Sequence, residues 1–347
     1  MNKLLTIVIP TYNMQKFLPR CLDSLMVSEN RMELMEVLVI NDGSKDDSSA
    51  IAHSYAERFP STFRVIDKEN GNYGSCVNRG LREAKGKYFR ILDADDKFDK
   101  HSLDVFINRL KDLEVDAVFT RCIHCDTSDK IISDKPIPEN IPVDSVIDAT
   151  QFDAVSMGYW PFIMHMVTYK TSVLRSVKLT LSEGISYSDN EFVFYPLEKV
   201  STMTFIDIPL YWYTIGREGQ TMTPNLMKKR VKHFEIILDK MLNYLEANRN
   251  SINTSIYTNQ LGIAFSMMHW MYSLLLSSDL DDESTKLIDK LEAYANNVPG
   301  LYQCTNEIDK YGFKYVEYWR RTKRTLSNPI VRVILQWNRV KRKLIRR

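Results

Sequence analysis

Short apolar runs, each cut off by a polar turn, dominate the first hundred residues of the chain. Leu4-Leu5-Thr6-Ile7-Val8-Ile9-Pro10 ends in Thr11-Tyr12-Asn13, and Glu36-Val37-Leu38-Val39-Ile40 ends in Asn41-Asp42-Gly43-Ser44. Phe63-Arg64-Val65-Ile66 is followed by the glycine-rich turn Asn70-Gly71-Asn72-Tyr73-Gly74. Between the first two runs, residues 15–28 place Phe17, Leu18, Cys21, Leu22 and Leu25 at helical spacing. Strands that are nearly continuous in apolar residues and alternate with helices predict an α/β fold, its mostly parallel central sheet covered by helices on both faces. The polar turns then share one edge of that sheet.

A fourth run, Lys87-Tyr88-Phe89-Arg90-Ile91-Leu92, stops at Asp93-Ala94-Asp95-Asp96. Its three carboxylates fall at a C-terminal strand end, where open α/β sheets bind ligands. Clustered carboxylates repel one another unless a cation joins them. A divalent ion such as Mn²⁺ or Mg²⁺, shared with substrate phosphates, relieves the repulsion and points to a nucleoside-diphosphate ligand. Asp-rich strand ends also serve as helix caps or solvated turns.

Taken in order, Ile7 to Asn13, Val39 to Ser44, Asn70-Gly71 with Asn78-Arg79-Gly80-Leu81, and Leu92 to Asp96 resemble the motifs of the inverting family 2 glycosyltransferases. Downstream, Glu183 to Phe192 resembles that family's acidic motif. Tyr211-Trp212-Tyr213 with Arg217 and Gln220 resembles its closing segment, so the likeness runs to about residue 222. The resemblance implies a GT-A-type, Rossmann-related fold and a donor site for a nucleotide-sugar, usually of uridine. Thr11 and Tyr12 would border the nucleobase, Asp42 would accept from its ring N–H, and Asp93 would contact the nucleotide's sugar. Pro10, Asn72, Ala94 and Arg217 would complete the donor site. Asp95 would hold the metal, and Asp189 would be the general base for a glycan or lipid-linked acceptor in bacterial surface-polysaccharide synthesis. The chain departs from the family pattern twice: Ser188 stands where a Glu is usual, and Val77 where many relatives have Arg. Glu191 reads as an acid on a helix face, and Ser188-Asp189 also suits the N-cap of a helix over 190–199.

A chain of 347 residues predicts more than one domain. After about Asn225 helical patterns replace the strand rhythm, over 226–247, 252–277, 284–296 and 306–324. The expected division is a catalytic domain at 1–222, an α-helical accessory domain at 223–325 and a basic tail helix at 326–347. Residues 261–276 are apolar but fall short of a bilayer span, and His269 within them reads as a core histidine. The opening Met1-Asn2-Lys3 leads into a strand rather than a cleavable signal, and five scattered cysteines suit a reducing cytosol. Cys122-Ile123-His124-Cys125 has the makings of half a zinc site, but a strand turns its two sulfurs to opposite sides.

Net charge is only +2, yet residues 320–347 hold eleven Lys and Arg and no acid, leaving 35 basic against 44 acidic residues before them. After Pro329, Ile330, Val333, Ile334, Trp337, Val340 and Leu344 share one helical face, with Arg332, Arg339, Lys343 and Arg346 opposite. Such a helix suits an anionic membrane surface and a cytoplasmic protein peripheral on the inner face of the membrane. The alternative is a helix docked on its own protein with a solvated basic face. Three other classes fit less well. A nucleotidyltransferase needs a Gly- and Arg-rich loop after the first strand, where Pro10-Thr11-Tyr12-Asn13 stands. A dehydrogenase needs G-x-G-x-x-G there, and a nucleic-acid binder needs aromatic platforms interleaved with the basic charge. No nucleic-acid partner is therefore expected.

Overall fold

The computed structural model describes residues 3–217 and 219–345, with side chains through residue 342. It divides into two compact units, Met1–Gln220 with Leu245–Gln260, and Thr221–Tyr244 with Leu261–Arg347.

The first unit opens with β1 (Leu5–Thr11), α1 (Leu18–Asp23), α2 (Glu29–Met32), β2 (Met35–Asn41), α3 (Ser48–Arg58), β3 (Phe63–Asp67), α4 (Asn72–Glu83) and β4 (Tyr88–Ile91). It continues through β5 (Lys97–Phe98), α5 (Lys100–Leu110), β6 (Ala117–Cys125), β7 (Ile131–Asp134), β8 (Ile147–Asp148), β9 (Val167–Lys170), α6 (Thr171–Ser176), α7 (Asp189–Phe194) and β10 (Thr202–Thr214). The strand order is β3-β2-β1-β4-β9-β6-β10-β5, with β7 and β8 paired at the side to β6 and β10.

Strands β3, β2, β1 and β4 are mutually parallel, in the register Ile7↔Val37 and Ile7↔Arg90. Strand β9 joins β4 and β6 antiparallel, and β6 runs parallel to β10. The α/β sheet is thus parallel in the half read from the sequence and mixed beyond it. The antiparallel strands β5, β7, β8 and β9 are two to four residues long, too short to show a period.

Alternation along β1 explains the layering. Ile7 and Ile9 belong to one core with α1, α3 and α5, whereas Val8 points to the other face. There Gly80 of α4 comes so close that a Cβ would lie 2.5 Å from Val8 Cγ2. Arg90 of β4 is wholly buried. Its guanidinium donates to Thr168 Oγ1 of β9 (2.7 Å), Thr120 Oγ1 of β6 (3.1 Å) and the His165 carbonyl (2.6 Å), joining the parallel half to the antiparallel strand. Burial lowers its pKa to about 10.

The chain continues through α8 (Pro224–Lys229), α9 (Val231–Asn248) and α10 (Thr254–Leu275), whose residues 245–260 belong to the first unit, and the second unit goes on with α11 (Asp282–Asn297), α12 (Leu301–Asn306), the hairpin β11 (Asp309–Lys310) and β12 (Phe313–Lys314), α13 (Tyr315–Thr322) and α14 (Pro329–Ile345). The single helix expected over 306–324 is broken by that hairpin. Tyr311 (φ 58°) and Gly312 (φ 80°) form its two-residue turn, the positive-φ pair that matches strand twist. His269 is exposed beside Trp270 rather than in the core, because Met267, Met268, Met271 and Tyr272 form the buried face of α10. In α14, Val331 is buried while Ile330, Val333, Trp337 and Val340 stay exposed, Trp337 by 72 %. The expected apolar stripe thus faces outward while a neighbouring edge of the same helix packs. The Lys343 and Leu344 side chains and Arg346 lie outside the described residues.

Candidate active site

Strand order reverses direction at β1, which has β2 on one side and β4 on the other. The turns after β1, β2 and β4 therefore open onto a common crevice at the C-terminal strand ends. Pro10 is half-buried, Thr11 is buried with its hydroxyl on the Ile9 carbonyl (3.1 Å), and Tyr12 is 45 % exposed.

The acids after β4 separate into different environments. The Asp93 carboxylate accepts from the Tyr73 hydroxyl at 3.0 Å and lies 4.0 Å from His165 Nε2. Burial first, then the charges of Asp95 and Asp189, push its pKa up to about 8. Asp96 is fully buried, accepting from the Tyr211 hydroxyl (2.8 Å) and the Thr214 N–H (2.7 Å). Burial and its two acidic neighbours raise it well above the usual carboxylate range. Burial pulls the His165 pKa down to about 3, so its ring is neutral. Ala94 is buried between the acids.

Donor atoms of Asp93, Asp96 and His165 lie within 4.8 Å of one another. Two buried acids raised by their acidic neighbours and a neutral imidazole make a donor set that suits a divalent ion. Asp95 stands outside that group, its carboxylate bonded to Nε of Arg217. The guanidinium also lies 5.5 Å from the Phe17 ring.

Asp189 is the first residue of α7. It follows Tyr187 at φ 70° and Ser188, whose buried hydroxyl has no hydrogen-bond partner among the described residues and does not cap the helix. Burial, with Glu191 nearby, raises the Asp189 pKa to about 6. Its charge in turn raises Asp93, so the two carboxylates share one field. Glu191 corrects the expectation of a helix-face acid. It is buried and accepts from the Ser182 N–H (2.6 Å) and hydroxyl (2.8 Å), closing the loop that precedes Asp189.

That loop is also stitched to α4. The Asn78 amide pairs with the Leu181 N–H (2.8 Å) and carbonyl (2.9 Å), and Gly184 N–H donates to the Gly71 carbonyl (2.9 Å). Gly74 permits the approach, since a Cβ there would fall 2.1 Å from the Ser182 carbonyl oxygen. Val77 is buried, and the neighbouring Arg79 pairs with Glu83.

Asp42 anchors the opposite wall. One carboxylate oxygen accepts from Lys68 Nζ (2.5 Å) and the Gly71 N–H (2.9 Å), the other from the N–H of Asn72 (2.9 Å), itself at φ 67°. Beside it is a cavity of 480 Å³ lined by Tyr12, Asn41, Gly43, Lys45, Asp67, Lys68, Glu69 and Asn70. Lys68, Tyr73, His165, Tyr211 and Asn78 join the site only through the fold. Tyr211 and Asn78 lie in the segments Tyr211-Trp212-Tyr213 and Asn78-Arg79-Gly80-Leu81 and are within reach of motif reasoning, whereas His165 in Met164-His165-Met166 carries no local signal.

Comparison with known proteins agrees with this geometry. Residues 6–173 match glycosyl transferase family 2. A glycosyltransferase of Mycoplasma pneumoniae, itself uncharacterized, is 40 % identical over 97 residues, 27 % of this chain and 32 % of that protein. The minor teichoic acid biosynthesis protein GgaB of Bacillus subtilis is 29 % identical over 103 residues, 30 % of this chain and 11 % of its own. The matched segment thus spans about a third or less of these relatives' length. Among solved structures, residues 1–349 of Staphylococcus aureus TarS in complex with UDP-GlcNAc superpose with a TM-score of 0.61 at 17 % identity, covering 92 % of this chain and 88 % of that one. The mannosyltransferase PcManGT of Pyrobaculum calidifontis, in complex with GDP-Man and Mn²⁺, gives 0.53 at 16 % identity, covering 87 % and 83 %. The segment that builds this crevice, residues 6–173, is thus similar to glycosyl transferase family 2, and the chain shares its fold with these two solved glycosyltransferase structures.

Proposed function

We propose that the chain is an inverting, metal-dependent glycosyltransferase. It would move a sugar from a UDP-sugar to a hydroxyl of a glycan or lipid-linked acceptor in bacterial surface-polysaccharide synthesis. The observation that carries this reading is Asp189, a carboxylate raised to about 6 and electrostatically linked to Asp93 across the crevice. Catalytic bases are tuned in this way toward working pH.

In this reading the uracil enters the 480 Å³ cavity against Tyr12. The ring N–H would donate to Asp42, whose carboxylate also accepts from Lys68, Gly71 and Asn72. Pro10, Thr11 and Asn72 shape that end, and Asp93 and Ala94 meet the donor's sugar. Arg217 is in reach of the diphosphate through its place on Asp95. A divalent cation, Mn²⁺ or Mg²⁺, would be held by Asp95 next to the donor atoms of Asp93, Asp96 and His165, and would supply charge neutralisation for the departing nucleoside diphosphate. Asp189 takes the acceptor's proton as its oxygen attacks the anomeric carbon opposite the leaving group, so the configuration inverts.

The proposed division of labour gives catalysis to residues 1–222, support to the helices of 223–325, and attachment to an anionic bilayer on the inner face of the cell membrane to 326–347. The exposed stripe Ile330, Val333, Trp337 and Val340 beside the cations of α14 supports that attachment. Among the described residues no helix is long and apolar enough to cross a membrane. The sugar-transfer reading is tested by thermal unfolding against a panel of nucleotide sugars with Mn²⁺. At 100 times its dissociation constant the donor stabilises by about 2.7 kcal/mol. No shift with any nucleoside-diphosphate sugar refutes the reading.

A further inference from the structure

A second cavity, of 330 Å³, lies between the C-terminal half of α4 and the end of α6 with the loop that follows it. Arg82, Arg175 and Lys178 line it, over the buried side chains of Leu81, Leu174 and Leu179. Arg175 Nη2 donates to the carbonyls of Ala84 (2.7 Å) and Leu81 (3.5 Å), and among the described residues no carboxylate pairs with any of the three cations. The acids close by are already held: Glu83 by Arg64 (2.9 Å) and Arg79 (3.0 Å), and Glu183 by the Asn78 amide (2.8 Å). Three positive charges thus stand together in a chain whose first 319 residues hold 44 acidic against 35 basic residues. Like charges so grouped repel one another unless an anion joins them. The backbone adds a second observation. Lys178 has a left-handed conformation (φ 48°) just past α6, where its N–H reaches the Arg175 carbonyl (3.0 Å) and the Leu179 N–H reaches the Leu174 carbonyl (3.1 Å). Glycine is the usual residue at such a helix end. A lysine there holds its backbone under strain, of the kind found at ligand clamps.

We propose that this cavity is a second anion site, which takes a phosphate or phosphomonoester dianion between Arg82, Arg175 and Lys178. Two guanidinium forks match the geometry of phosphate oxygens, and an ammonium adds a third positive charge. Arg175 also covers the last carbonyls of α4, so that helix end turns little negative charge toward the ligand. The site is not the one that receives the donor. Asn72, bonded to Asp42 in the crevice, and Arg82 are ten residues apart on α4, about 15 Å along its axis. The two places are nevertheless linked through the chain. Asn78 lines the cavity and holds the N–H (2.8 Å) and carbonyl (2.9 Å) of Leu181, in the segment that leads to Asp189. A phosphate clamped by Lys178 therefore steadies the start of that segment.

The test is calorimetric titration of the full chain with inorganic phosphate and with glucose 1-phosphate at constant ionic strength, without metal or nucleotide. Saturable binding in the millimolar range or tighter is expected, and the tighter of the two ligands tells free phosphate from a phosphomonoester. Arg82→Gln and Lys178→Gly are each expected to weaken it about tenfold or more, as the loss of a charge-assisted hydrogen bond does. Lys178→Gly relieves the left-handed backbone, so its Tm should hold or rise while phosphate binding is lost, which separates a missing clamp from a damaged fold. Phosphate should also slow hydrogen exchange at the Leu179 and Leu181 N–H groups in wild type and not in Lys178→Gly. No binding at millimolar phosphate, equal competition by chloride, or unchanged affinity in both variants overturns the proposal and leaves the cations as caps of their helix ends. No sugar transfer is measured, so such a failure leaves the proposed function standing.

Discussion

Asp189 gives the sharpest test, because its environment fixes a number that an ordinary carboxylate would not share. The base acts only as the carboxylate, and burial with the nearby Glu191 raises its pKa from 3.8 to about 6. It is therefore about 91 % ionised at pH 7 and about 9 % at pH 5, so kcat/KM should fall about tenfold between them and tenfold per unit below. An unshifted Asp near 3.9 would still be more than about 90 % ionised at pH 5, and the rate would hardly change. The direction is fixed by the chemistry: a raised pKa moves the loss of activity to higher pH. The assay is release of UDP from the preferred donor across pH 4.5–8 at saturating Mn²⁺, with stability checked at each pH. Asp189→Asn preserves shape but accepts no proton, and should lower kcat by roughly 10²–10⁴ while leaving UDP affinity unchanged. An acid limb centred near 4, or an Asp189→Asn enzyme with near-normal kcat, refutes the assignment.

Three further outcomes are expected. Arg90→Leu removes donors to Thr168, Thr120 and the His165 carbonyl, and should cost about 3 kcal/mol, lowering Tm by roughly 6–12 °C; an unchanged Tm would show that the buried guanidinium does not hold the two halves of the sheet together. Gly74→Ala places a methyl 2.1 Å from the Ser182 carbonyl and should shift the loop before Asp189, lowering kcat with a smaller effect on UDP binding; unimpaired turnover would contradict the positioning role of α4. Trp337→Glu, at a residue 72 % exposed, should reduce co-sedimentation with anionic vesicles at low salt without changing Tm, whereas equal binding to anionic and neutral vesicles, or none to either, would favour a tail docked on its own protein.

The parallel half of the sheet was legible in sequence because each of its strands is a near-continuous apolar run, a signal that survives without knowledge of neighbours. The acids of Asp93 to Asp96 were legible for a similar reason: three carboxylates within four residues are a local fact. The hairpin Asp309–Lys314 was missed although its Tyr311-Gly312 turn is local, because the flanking strands are two residues each and the helical pattern on both sides overran them. What separates Asp93, Asp95 and Asp96 is not local. Tyr73, Tyr211, Thr214 and Arg217 stand up to 122 residues away, and only the sheet order brings one acid against tyrosines and another against an arginine. The elevated pKa of Asp189 likewise comes from burial, a property of the packed fold and not of Ser188-Asp189-Asn190. The sequence by itself determined which residues are chemically able to bind a diphosphate and take a proton. The tertiary structure decided which of them are paired, desolvated or left in reach of a ligand, since hydrogen bonds and dielectric depend on distances that chain order does not contain.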